Sequence, residues 1–142
     1  MSDNSEIDNM AFLDDKKNLI LTLCSNFLEN KLQELSVENS FSSTDLLILL
    51  DDVMTSLYGM ISSQLKFISK DMELSPKESY CVSKTIGEFK DSWERRLEKI
   101  ANKVLRSQSS EKIIFQTFNQ IDKEQKSLLS SVFYSLKKCV AN

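Results

Sequence analysis

The stretch SPKESYCVSKTIGEFKDSWERRLEKIANKV, residues 75–104, decides the fold. Ser75 is a helix N-cap residue, Pro76 stands at the first helical position, where its missing N–H costs nothing, and Glu78 lies three residues past the serine, closing a capping box. Behind that start Val82, Ile86, Phe89, Trp93, Leu97, Ile100 and Val104 recur at three- and four-residue spacing, one apolar stripe down a helix. Ser107-Gln108-Ser109-Ser110 ends this helix and supplies the cap of the next.

Working outward, the same periodicity repeats on both sides. Upstream, Leu46, Leu50, Val53, Leu57, Ile61, Leu65 and Ile68 keep a seven-residue rhythm, predicting a helix from Ser43 or Thr44 to about Lys70–Glu73. Before it, Leu13, Ile20, Leu23, Cys24, Phe27, Leu28, Leu32 and Leu35 predict a helix over residues 10–35, followed by a serine-rich loop at 36–43. Downstream, Ile114, Phe118, Ile121, Leu128, Leu129, Val132, Phe133, Leu136 and Cys139 predict a fourth helix. Asp122 to Ser127 carry no apolar residue, so a break near 122–127 is an alternative to one continuous helix. With two glycines and one proline in 142 residues, the turns a multi-stranded sheet needs are nearly missing. The expectation is an all-α domain over residues 10–142, an antiparallel up-down four-helix bundle of long helices, preceded by a flexible acidic tail at 1–9.

Charge is unevenly divided. Residues 1–52 hold eleven acids against three lysines, a balance of −8, while residues 53–142 balance at +5. The acidic half can screen the basic half, which argues against a dedicated polyanion binder. Three cysteines, Cys24, Cys81 and Cys139, at wide spacing and without a CxxC pair, read as free, mostly buried thiols in a reducing compartment. The N-terminal stretch has five acids before Lys16, the opposite of a signal or transit peptide, and Ser2 cannot be myristoylated. The longest apolar run, Leu46 to Leu50, is far short of the ~20 residues of a membrane span. A cytoplasmic protein without a transmembrane segment is expected.

The absence of histidine bears most on function. It removes the commonest general base, the Ser-His and Cys-His nucleophile pairs and the Glu-x-x-His ligands of di-iron bundles. Gly59 and Gly87 fall inside predicted helices, so there is no glycine-rich phosphate loop. No catalytic residue, cofactor or metal site is therefore expected. The pairs Asp14-Asp15 and Asp51-Asp52 could hold a cation in principle, but Asp51 and Asp52 lie off the apolar stripe and read as a solvated face, and Asp14-Asp15 read as complementing the first turn of helix one. Cys139-Val140-Ala141-Asn142 has the outline of a prenylation box, yet Asn142 is not a usual terminal residue and Cys139 continues the spacing of Val132 and Leu136, so a buried thiol is the simpler reading.

Two surfaces remain as candidates. Helix two opens with the all-apolar run Leu46 to Leu50, and carries a row of small residues, Ser56, Gly59 and Ser63, that lets another backbone approach or seats a neighbouring helix of the same bundle. Ile113 and Phe115 add apolar surface outside the main stripe of helix four. A protein partner binding at Leu47, Ile48, Ser56, Gly59 and Ser63, or a second copy of the chain at the same place, is the first expectation, for a non-enzymatic adaptor, chaperone or regulatory or assembly subunit. The second is nucleic acid or anionic membrane at the helix-three flank Arg95, Lys99, Lys103 and Arg106, which also reads as a solvated face. An enzyme would need a carboxylate-only or cysteine-only mechanism and ranks last.

Overall fold

The computed structural model describes residues 2–35, 43–106 and 111–141, and the side chains within them except at 2–7, 43, 111 and 112. These residues form four α-helices: α1 (Ser2–Leu35), α2 (Ser43–Lys66), α3 (Pro76–Arg106) and α4 (Glu111–Val140), with one 3₁₀ turn at Ile68–Lys70. The main contacts of α1 and of α3 are both with α2 and α4. The helices therefore occupy the corners of a square in chain order, and the all-α antiparallel four-helix bundle is the fold.

The capping box at the start of α3 forms as the sequence implies. The Ser75 amide donates to Glu78 Oε1 at 2.8 Å and the Glu78 amide donates to Ser75 Oγ at 3.2 Å. The seven stripe residues of α2, from Leu46 to Ile68, are all buried. That helix ends earlier than expected, at Lys66. The chain then tightens into the 3₁₀ turn, in which Lys70 N bonds Phe67 O at 3.1 Å and Asp71 N bonds Ile68 O at 3.3 Å, keeping Ile68 in the core while the direction changes.

Of four expectations, one holds and three are corrected. First, α1 starts at Ser2 and not near Met10, and at residue 9 it is already packed: Asn9 is buried and its Nδ2 donates to the Glu73 carbonyl at 2.9 Å. Asp14 and Asp15 thus sit well inside α1, and Asp14 pairs with Lys137 of α4 instead of serving the first turn. Second, α4 is the one continuous helix expected where 122–127 hold neither glycine nor proline, and within it Glu124 and Gln125 occupy core-facing positions that periodicity reserves for apolar residues. Third, Ile113 is buried and adds nothing to the surface, whereas Phe115 is exposed. Fourth, Cys81 and Cys139 are joined in a disulfide, with Cα atoms 5.6 Å apart, leaving only Cys24 free. Antiparallel α3 and α4 bring the beginning of one beside the end of the other, a proximity that a separation of 58 residues conceals. The expected loop at 36–42 and the cap at 107–110 lie outside the described residues.

The core runs the length of the square. Trp93, almost fully buried, packs with Phe89 and Tyr58 at ring-centroid distances of 5.7 and 6.3 Å, and its Nε1 donates to the Met54 carbonyl at 3.2 Å. Among the described residues one segment, Thr44–Lys70, is long and apolar enough to cross a membrane by length and composition; its most apolar 18-residue window has mean hydropathy 1.3 and is 33% buried. Its apolar stripe is what the bundle buries, as a core helix requires.

Candidate functional site

The outer face of α2 is the part of the surface that best matches the sequence candidates. Ile48 is 59% exposed, while Leu47 next to it is half-buried against the core. Ser56, Gly59 and Ser63 all face solvent. A Cβ built on Gly59 would meet nothing within 4 Å, so this row seats neither α3 nor α4 and the close approach it permits is unused among the described residues. The Ser63 hydroxyl donates to the Gly59 carbonyl at 2.8 Å, which satisfies it inside its own helix. The face also carries charge, since Asp45, Asp52 and Lys66 are exposed at helical spacing from these residues.

At the same end of the bundle as Ile48 lie the last turn of α3 and the first turns of α4. There Leu105 is 61% and Phe115 56% exposed. A cleft of about 340 Å³ opens between these two helices, lined by Ile100, Val104 and Ile113 below and by Lys103, Arg106 and Gln116 at its rim.

The basic flank of α3 is less free than its sequence suggests. Lys99 Nζ lies 2.9 Å from Glu124 Oε1, and Arg96 Nη1 lies 2.5 Å from Glu124 Oε2. Gln120 Nε2 adds a third donor at 3.1 Å. Burial pushes the Glu124 carboxyl up, but the hydrogen bonds and charges of Arg96 and Lys99 outweigh it and hold the group below the usual glutamate range. Arg95 Nη2 donates to Ser92 Oγ at 3.2 Å, and Lys103 and Arg106 border the cleft. Of the four flank residues, then, Lys99 is committed to an internal carboxylate. Arg96, left out of the flank on spacing, proves to be the bridge to α4.

Glu124 and its neighbours form the polar part of the core that sequence reading missed. Asp122 accepts from Gln125 Nε2 at 3.2 Å and pairs with Lys126 at 2.8 Å, while Gln125 Oε1 is buried without a partner among the described residues. The signal was present in the spacing: Ile121, Gln125, Leu128 and Leu129 continue one stripe, and only the polar identity of Gln125 hides it. Burial, reinforced by the charge of Asp122, pushes the Cys24 thiol up to about 12, so it stays protonated and inert at neutral pH. With Cys81 and Cys139 bonded to each other, the chain as folded presents no thiolate nucleophile among its three cysteines.

Asp51 and Asp52 lie exposed on α2. Among the described residues no group of three or more carboxylates and cysteines converges as metal ligands do. Compared with known protein families, curated proteins and solved structures, the chain finds no match.

Proposed function

We propose that this chain is a non-enzymatic helical interaction protein, an adaptor, chaperone or regulatory or assembly subunit, that binds a protein partner through the outer face of α2. The observation that carries the reading is Ile48, 59% exposed on the same helix as a row, Ser56, Gly59 and Ser63, that faces solvent among the described residues. An exposed isoleucine beside open backbone offers apolar burial and close approach together. Self-association is one form of the proposal, since a two-fold axis sets the small-residue row against itself. The protonated Cys24, the bonded Cys81 and Cys139 and the lack of histidine support the non-enzymatic half.

The polyanion reading has less support, because Lys99 is already paired with Glu124. The decisive experiment is recovery of the native protein with its bound partners, beside an Ile48→Asp variant. The variant should keep the unfolding temperature of the wild type and lose the partner. A partner held equally well by both proteins, or one shed by Arg95→Ala and Arg106→Ala instead, would place the interface elsewhere.

A further inference from the structure

The Cys81–Cys139 bond closes one end of the bundle. Cys81 lies in the second turn of α3 and Cys139 one residue before the end of α4, so the bond ties the last turn of α4 to its neighbour. The two sulfurs are unequally placed: Cys139 is buried, whereas Cys81 is only half-buried. The bond is also not the framework of the fold. Among the described residues twenty-eight apolar side chains besides Cys139 are buried along the bundle, a core of the kind that lets a domain of this size fold without cross-links. The third cysteine cannot scramble the pair, because Cys24 is enclosed among core residues on α1 and remains a thiol.

We propose that Cys81 and Cys139 form a reversible clamp, opened by a low-molecular-weight thiol that attacks at Cys81, and that opening it loosens the last turns of α4. The first step is attack of the external thiolate on Cys81 Sγ. The new bond is the mixed disulfide at Cys81, the bond broken is Cys81–Cys139, and Cys139 leaves as a thiolate that takes a proton. A second external thiolate then attacks the outer sulfur of the mixed disulfide and releases Cys81. Two external thiols are oxidised to one disulfide as the protein disulfide is reduced to two thiols, and the external disulfide drives the reverse.

The effect of opening is local. Helix ends fray first, and the final backbone bond in this region is Ala141 N to Lys137 O at 3.0 Å. Without the clamp the last turn is held by burial of Leu136 and Val140 and by the Lys137–Asp14 pair, contacts that resist unfolding but not fraying. In a reducing cytoplasm a bond of this kind is transient, so the state of the α4 end would follow the thiol pool.

The test uses the full chain equilibrated in glutathione buffers of varied ratio, followed by alkylation and intact mass measurement under non-reducing conditions. The oxidised protein should weigh two hydrogens less than the reduced one and give a single alkylatable thiol after denaturation. With glutathione disulfide, Cys139→Ser should be modified at Cys81 at least tenfold faster than Cys81→Ser is modified at Cys139. Hydrogen exchange should rise at least tenfold over residues 132–140 on reduction, and equally in the double variant C81S/C139S, with 89–104 unchanged. Three alkylatable thiols after oxidation, equal modification of the two single variants, or unchanged exchange over 132–140 would each overturn the proposal.

Discussion

Arg96 on α3 and Glu124 on α4 meet across the helix pair, Nη1 to Oε2 at 2.5 Å, with the glutamate side chain only 5% exposed. An acid this deep is tolerated because three donors surround it, and removing one leaves a charge short of partners. Arg96→Ala should destabilise the protein by about 1.5–3 kcal/mol, the loss for a hydrogen bond to a charged group. The paired replacement Arg96→Met with Glu124→Leu should come within about 1 kcal/mol of the wild type, or exceed it, because apolar packing can replace a buried ion pair. Denaturant titration of the three proteins measures both; a harmless single variant would mean that Lys99 and Gln120 suffice.

The same pair sets a pH dependence. Glu124 in the folded protein is held below its ordinary range, so as pH falls the unfolded chain takes up this proton first. Its contribution is complete above the unfolded glutamate value of ~4.3 and is lost as pH drops through the lower folded value. Wild type should therefore exceed Glu124→Gln in stability near neutrality, with the gap closing on acidification. A gap that stays constant down to the acid transition would show that the carboxylate charge contributes nothing.

Ser75→Ala removes one arm of the reciprocal cap on α3. The expected loss is ~1 kcal/mol, and Glu78→Ala, which removes the other arm, should cost a similar amount or less. Because each side chain caps the amide of the other residue, the two bonds are coupled and the double variant should cost less than the sum of the singles. Strict additivity in thermal unfolding would contradict the reciprocal geometry.

Gly59 separates a partnered from an unpartnered α2 face. In the isolated chain its missing Cβ has open space, so Gly59→Ala should stabilise by about 0.5–1 kcal/mol through helix propensity alone. Gly59→Leu should leave helix content nearly unchanged but block close approach of another helix. Light scattering at micromolar concentration distinguishes the outcomes: if the wild type self-associates and Gly59→Leu does not, the second copy covers this face, and a monomeric wild type removes the homodimer.

How much of this was legible from sequence can be judged residue by residue. The stripe from Leu46 to Ile68 and the box Ser75-Pro76-Glu78 act within one or two helical turns, so spacing and residue type were enough to place α2 and α3. Periodicity scores apolar residues only, so buried Glu124, satisfied by Arg96 and Lys99 of another helix, and buried Gln125, bonded to Asp122 within its own helix, look the same in sequence as solvated residues. Composition predicts a tail over residues 1–9, whereas residues 2–9 form the first turns of α1, which are held by a contact that spacing does not reveal, from Asn9 to the Glu73 carbonyl sixty-four residues away.

By itself, then, the sequence determined that the chain is helical, roughly where α2, α3 and α4 run and which stripe of each is buried, since those properties arise from local backbone preference and the 3.6-residue repeat. Only the tertiary structure decided which distant residues meet: Cys81 with Cys139, Arg96 and Lys99 with Glu124, and none of the described residues with Gly59. Those outcomes depend on antiparallel placement and on the rotation of each helix about its axis, which are set by packing the whole bundle at once and leave no trace in any single window of the chain.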